Sequence, residues 1–161
     1  PLPAHRSIIF DVFPRSATNR YFADMSRTVV RGTPSPELKR LYQTVLDAQE
    51  EAITKIKDGA DGKRIHQGIL RRFEKAGYQT GLVNGRMQGY FHGTGHGVGL
   101  DIHEMPRISR TGSLLQENHV VTVEPGLYYP GLGAVRIEDM VLVTKDGCRN
   151  LTNSPKIFEL G

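Results

Sequence analysis

The chain has 161 residues, 38% of them hydrophobic and 24% charged, which is enough for one domain with a real core, taken as residues 1–161. Its net charge of +4, from 21 basic against 17 acidic residues, is scattered without a basic run or interleaved aromatics, which argues against a nucleic-acid partner. One cysteine, Cys148, rules out an internal disulfide framework, and no apolar stretch nears bilayer-spanning length, so a cytoplasmic chain with no membrane partner is expected.

In chain order, residues 7–12 and 21–30 are rich in β-branched residues and are expected to pair as a hairpin. A helix should follow, with Ser35 as its cap, Pro36 in the first turn and Glu37 complementing the dipole. Leu38, Leu41, Tyr42, Val45, Leu46, Ala48 and Ile53 keep helical spacing up to Lys57, and Gly59 ends the run. Asp61 opens a second helix carrying Ile65, Ile69, Leu70 and Phe73, closed by Gly77. Further strands are expected near 98–103, 119–123, 134–144 and 148–152, with Pro106, Pro125 and Pro130 marking strand ends. Helices set among strands that carry the polar groups predict an α+β fold, the helices covering the back of a sheet.

The stretch Phe91-His-Gly-Thr-Gly-His-Gly-Val-Gly-Leu-Asp-Ile-His-Glu holds three histidines, His92, His96 and His103, and every second residue from Gly93 to Gly99 is glycine. Glycine at that spacing makes a helix costly, so an extended segment is expected, with residues 92, 94, 96 and 98 on one side. Four carboxylates sit in or beside apolar strand-like runs: Asp11 after Ser-Ile-Ile-Phe, Asp24 before Met-Ser-Arg-Thr-Val-Val, Glu124 after Val-Val-Thr-Val and Glu138 after Ala-Val-Arg-Ile. Charged residues are seldom placed there without partners, and four anions brought together either take up protons or bind cations. Two divalent ions would balance four carboxylates, and a neutral histidine completes an oxygen-rich set suited to manganese first, or to cobalt or zinc.

The order Asp, Asp, His, Glu, Glu in these motifs resembles the pita-bread metallopeptidases, the family of methionine aminopeptidase, Xaa-Pro aminopeptidase and prolidase. Gly-Leu-Asp-Ile-His-Glu and Glu-Pro-Gly-Leu-Tyr are most similar to the Xaa-Pro aminopeptidase and prolidase branch. The resemblance implies the pita-bread fold, a curved antiparallel sheet backed by helices, and a dinuclear exopeptidase acting on peptides with proline at the second position. It also implies roles. Asp24 and Glu138 would bridge two divalent metals, Asp11 would chelate one, and His96 with Glu124 would complete the other. Glu124 would shuttle a proton, His103 would stabilise the tetrahedral intermediate and His92 would line the substrate pocket, with Arg136 and Tyr128 beside it. A methionine-type aminopeptidase and an inactive peptide- or protein-binding module are the alternative readings.

Two features depart from the family pattern. Asp11 and Asp24 are thirteen positions apart, longer than the usual loop. Only ten residues precede Asp11, where the family carries a longer stretch including a substrate-binding histidine, and the first residue is Pro1. The expectation is a piece of the catalytic domain that lacks peptidase competence alone and hides apolar surface as a homo-oligomer.

Overall fold

A computed structural model describes residues 3–161. Strands β1 (Ser7–Val12) and β2 (Met25–Arg31) pair antiparallel, with Asp11 opposite Ser26, and β12 (Glu159–Leu160) joins the free side of β2 in parallel. A second sheet is ordered β11-β10-β7-β5-β6, built from Cys148–Asn150, Asp139–Val143, Val120–Val123, Gly95–Gly97 and Glu104–Ile108. Two short hairpins complete the strands: β3 (Gly81–Val83) with β4 (Arg86–Gln88), and β8 (Gly126–Tyr129) with β9 (Gly133–Arg136).

Helix α1 spans Pro36–Thr54 and starts where its cap dictates: the Ser35 hydroxyl accepts from the Leu38 amide, and Pro36 occupies the first turn. In α2 (Gly62–Lys75) the Asp61 carboxylate accepts from the amides of Lys63 and Arg64. Leu38, Leu41 and Val45 of α1 and Ile65, Ile69 and Phe73 of α2 share one core with Val121, Val123, Val141 and Val143 of the five-stranded sheet. Because strand side chains alternate, burying Val121 and Val123 toward the helices turns Thr122 and Glu124 to the other face. The polar chemistry therefore collects on the face away from the helices.

Several strand expectations need correction. Residues 98–103 form no strand; the Gly99 amide folds back on the Asp101 carbonyl at 3.1 Å, and the Asp101 amide bonds the Glu104 carboxylate at 3.3 Å. Pro106 lies inside β6 and does not end it, which the edge position of β6 permits because no ladder N–H is required there. The run 134–144 is two strands, broken at Ile137–Glu138, where the chain leaves β8 for β7 and the Glu138 amide bonds the Ser26 carbonyl at 3.0 Å. Residues 92, 94, 96 and 98 do not share one side, because only 95–97 is strand and its register slips after His96. β12 makes one pairing parallel, so the sheets are not wholly antiparallel.

Candidate metal centre

The strand glycines come first, because they set how closely β5 can lie between its neighbours. A Cβ on Gly95 would fall on the Thr122 carbonyl, and one on Gly97 on the Met105 carbonyl. Glycine at both positions lets β5 sit against β7 and β6, and His96, between them, projects from the middle of the sheet. Asp11 comes from β1, Asp24 from the residue before β2, Glu124 from the end of β7 and Glu138 from the β9–β10 break. All five line one cleft of about 260 Å³, with His103, Arg136, Phe13 and Ile102.

Within that cleft Asp24, His96 and Glu138 offer ligand atoms all within 4.8 Å of one another. His96 Nε2 lies 3.3 Å from Glu124 Oε1 and 3.6 Å from Asp24 Oδ2. Its other nitrogen, Nδ1, is 3.1 Å from the Gly97 carbonyl, and a carbonyl can only accept, so Nδ1 carries the proton. Burial, above all, lowers the ring's pKa to about 4, so His96 is neutral and its Nε2 lone pair faces two carboxylates. Lone pair against anion is repulsive unless a cation, or a proton on one of the acids, lies between them.

The acids show the same deficit. Asp24 is pushed up to about 6 by burial and the nearby Asp11 charge. Burial raises Glu124 to about 7, and Glu138 goes higher still through burial and the charges of Glu124 and Asp24. Asp11 stands apart from the triad: its carboxylate is paired with the Arg136 guanidinium at the cleft edge. Four acids and an unprotonated imidazole nitrogen are a donor set of the hard-oxygen type that divalent ions complete, so the residues present fit a metal.

Beside the cleft, Arg136 links three groups: besides Asp11, its Nε donates to Ser26 Oγ at 3.0 Å and its Nη1 to the Tyr128 hydroxyl at 3.3 Å. The Tyr128 hydroxyl is 3.0 Å from His92 Nε2, while His92 Nδ1 lies 2.8 Å from the Gly93 carbonyl. Nδ1–H therefore donates to Gly93, and Nε2 accepts from Tyr128. The His103 ring stands at 85° to that of His96, with centroids 4.4 Å apart. A second cleft of about 610 Å³ shares His96, His103, Glu124 and Arg136 with the first and adds Phe91, His92 and Tyr128.

Sequence reasoning missed the groups that hold these side chains. Ser26 Oγ donates to Glu138 Oε2 at 2.8 Å, and Thr122 Oγ1 to Glu124 Oε1 at 3.4 Å. Thr94 turns away from the cleft, its hydroxyl 2.9 Å from Nδ1 of the buried His66 and 2.5 Å from the Tyr90 hydroxyl, while its carbonyl accepts the Glu124 amide at 2.7 Å. Behind Glu138, Arg27 and Asp139 form a buried ion pair at 2.7 Å. Both are charges inside apolar strand sequence, the same signal that singled out the four carboxylates.

Residues 1–145 match metallopeptidase family M24. The chain is 40% identical over 139 residues to the Xaa-Pro dipeptidase of Pyrococcus furiosus, covering 86% of this chain and 38% of that protein. It is 43% identical over 138 residues to the peptidase YqhT of Bacillus subtilis, covering 84% and 36%. The X-Pro aminopeptidase structure from Thermotoga maritima superposes with a TM-score of 0.86 at 37% identity, covering 98% of this chain and 42% of that one. The prolidase from Pyrococcus furiosus gives 0.83 at 37% identity, covering 94% and 42%. The α+β pita-bread fold expected from the motifs is thus the fold found. The chain spans about two-fifths of the length of these relatives. Among the described residues no helix is long and apolar enough to cross a membrane.

Proposed function

The chain belongs to metallopeptidase family M24, and from that premise we propose that it carries the dinuclear centre of an exopeptidase that hydrolyses the Xaa-Pro bond at the amino end of peptides. The observation that carries this reading is the unprotonated His96 Nε2 aimed at Asp24 and Glu124 within a cleft of buried acids. Asp24 and Glu138 would bridge two divalent ions, Asp11 would hold one, and His96 with Glu124 the other. Manganese is the metal proposed, ahead of cobalt or zinc. When bound, the pair supplies Lewis acidity that activates water and polarises the scissile carbonyl.

The remaining steps belong to the chain. Glu124, held by the Thr122 hydroxyl, takes the proton of the attacking water and delivers it to the proline nitrogen. His103, at the junction of both clefts, donates to the oxygen that gains charge as the carbonyl becomes tetrahedral. His92, Tyr128 and Arg136 form one hydrogen-bonded row along the larger cleft and position the peptide beyond the scissile bond. Proline suits that wall because its tertiary amide offers no N–H to leave unpaired.

Calorimetric titration with Mn²⁺ is the direct test, and two equivalents per chain are expected, with Asp24→Asn abolishing uptake. Among proline and alanine peptides of equal length, the manganese-loaded protein should bind those with proline second more tightly. Uptake of metal without any Xaa-Pro preference would exclude the substrate assignment and keep the metal centre. In a catalytically competent form that contains this chain, replacing His103 by Ala should leave metal content intact and lower kcat by about 10²–10³, as for loss of one oxyanion donor. Loss of both ions in that variant would show that His103 is a ligand.

A further inference from the structure

On the helix side of the molecule a groove of about 470 Å³ runs between the end of α1 and the first half of α2. It shares no residue with either cleft described above. Its floor is apolar: Ala52, Ile65 and Ile69 line it and are at the same time members of the core. Its end wall is the connection 57–61, which is pinned in place. The amides of Asp58, Gly59 and Gly62 donate to the carbonyls of Thr144, Leu115 and Ser113 at 3.0, 2.9 and 3.0 Å. The Leu115 amide returns a bond to the Ala60 carbonyl at 2.8 Å. A groove framed by backbone hydrogen bonds is formed before anything enters it, as ligand sites usually are.

Two features set this groove apart from ordinary helix surface. The first is Gly68, in the interior of α2, where glycine is the poorest helix former after proline. Close backbone approach does not explain it, because a Cβ there would meet nothing within 4 Å. Gly68 stands between Arg64 and Arg71 on one stripe of the helix, so its missing side chain leaves open space between two cations. The second feature is charge. Lys55, Lys57, Arg64 and Arg71 line the banks, all four exposed. The two acids of the groove are engaged: Glu51 pairs with Arg72 at 2.5 Å, and Asp61 caps α2 with its Oδ1 and lies 3.6 Å from Arg64 Nε through its Oδ2. Among the described residues Lys55, Lys57 and Arg71 have no carboxylate within ion-pair distance.

We propose that this groove binds an organic anion whose charge sits at one end of an apolar body, an aryl or acyl carboxylate. The body covers Ala52, Ile65 and Ile69 and fills the space beside Gly68, and the carboxylate meets the cations of the banks. Each half of the ligand answers one half of the site. A small inorganic anion would leave the apolar floor uncovered, and an uncharged body would leave the excess of cations without a counter-charge. The volume suits a small molecule. The helices separate the groove from the acids of the metal cleft, and the proposal stands independently of the peptidase reading.

The test titrates the ¹⁵N-labelled chain, without added metal, with 2-naphthoate and with its uncharged carboxamide, followed by amide chemical shifts. Naphthoate should give saturable shifts centred on Lys55, Gly59 and Gly68 and bind at least about fivefold tighter than the carboxamide. Lys55→Glu together with Arg71→Glu, both at the surface, should weaken naphthoate about tenfold or more and leave the carboxamide unchanged. Gly68→Leu should abolish binding of both probes by filling the groove, and its Tm should not fall, because leucine is the better helix former. Arg86→Glu, on the distant β3–β4 hairpin, should change nothing. Equal affinity for the two probes overturns the proposal, as does naphthoate binding that survives the charge reversal. Binding retained in Gly68→Leu, shifts centred on His96 and Glu124, or no saturable shift in the wild type overturns it too.

Discussion

Glu138 and Asp139 are adjacent acids, both buried, and the chain treats them in opposite ways. Asp139 Oδ1 accepts from Arg27 Nη2 at 2.7 Å, and its Oδ2 accepts from Gln49, Asn150 and Lys156 at 3.0, 2.9 and 3.2 Å. Burial alone would raise its pKa, but hydrogen bonds from Gln49, Asn150 and Arg27 outweigh that and hold it below the ordinary range. Glu138, one residue earlier and on the other face, accepts a single side-chain hydrogen bond, from Ser26, and faces Glu124 and Asp24. Its carboxyl is pushed far up, first by burial and then by those two acids. One acid is completed by the protein's own cation and donors. The other is left short of positive charge by its own fold, and that shortage is what a divalent ion would supply.

The comparison breaks most visibly at Asp139. Removing one partner of a buried pair leaves the other charge uncompensated, so Asp139→Leu or Arg27→Met should each cost about 3–5 kcal/mol in denaturant unfolding. The double variant should recover much of that loss, because no buried charge is left alone. Arg27 also donates to the carbonyls of Glu138, Ser26 and Ser154, so recovery will be incomplete. Additive losses in the double variant would show that the two residues act independently.

At Glu138 the same kind of change should have the reverse signature. Glu138→Gln keeps the shape and lets the Ser26 hydroxyl still donate, but removes a charge that the metal-free fold holds at a cost. Manganese affinity should fall by more than about 100-fold, beyond what loss of an outer partner produces. Unfolding of the metal-free chain at pH 8 should become no easier. A Glu138→Gln chain that binds Mn²⁺ as tightly as the wild type would remove Glu138 from the ligand set.

Much of this was legible in the amino-acid order, for identifiable reasons. The helices declare themselves through Ser35, Pro36 and Asp61 at their starts and through apolar spacing along them, because capping and packing are local or periodic demands. Asp11, Asp24, Glu124 and Glu138 stand out because a charge in a β-branched run needs a partner, and all four line the same cleft. The 98–103 bend was not legible: Val-Gly-Leu-Asp-Ile alternates like a strand, and only the Gly99–Asp101 and Asp101–Glu104 bonds turn it. The β3–β4 hairpin left a signal that went unread, Asn84-Gly85, whose positive φ values of 49° and 76° are those a tight turn between two strands requires. The split of 134–144 depends on a change of partner strand, and β12 depends on a pairing with β2 far away in sequence, so neither leaves a local trace.

Acidity offers a second way to separate the two acids. Glu124 and Glu138 titrate above their ordinary range, so the stability they contribute is complete below about pH 4.5 and is lost as pH rises through their folded values. His66, His92 and His96 are lowered to about 4, so their contribution is present above pH 6.5 and lost as pH falls toward 4. Above 6.5 the histidines no longer respond. The metal-free chain should therefore lose stability, on the order of 2 kcal/mol, as pH rises from 6.5 to 9. Saturating Mn²⁺ should flatten or reverse the slope, because the ligands must be deprotonated to bind it. Thermal unfolding in EDTA and in Mn²⁺ across that range reads both. A Tm in EDTA that rises from pH 6.5 to 9 would contradict the charge deficit.

The smallest expected effect is at Ser26, where the two faces of the site meet through one hydroxyl. Ser26 Oγ accepts from Arg136 Nε at 3.0 Å and donates to Glu138 Oε2 at 2.8 Å, while its backbone carbonyl accepts from both the Glu138 amide and Arg27 Nη1. Ser26→Ala keeps the backbone bonds, so the Arg27–Asp139 side should be undisturbed and the fold should lose only about 1 kcal/mol. On the cleft side Glu138 loses its one oriented donor, and Arg136 is released to lean further toward Asp11. Metal affinity should drop about tenfold, the lower end of the range for groups that orient a ligand from behind. Stability measured without metal should change less than affinity does, and that asymmetry is the informative quantity. If Ser26→Ala lowers metal-free stability by several kcal/mol and leaves Mn²⁺ affinity intact, the hydroxyl serves the fold and does not orient Glu138.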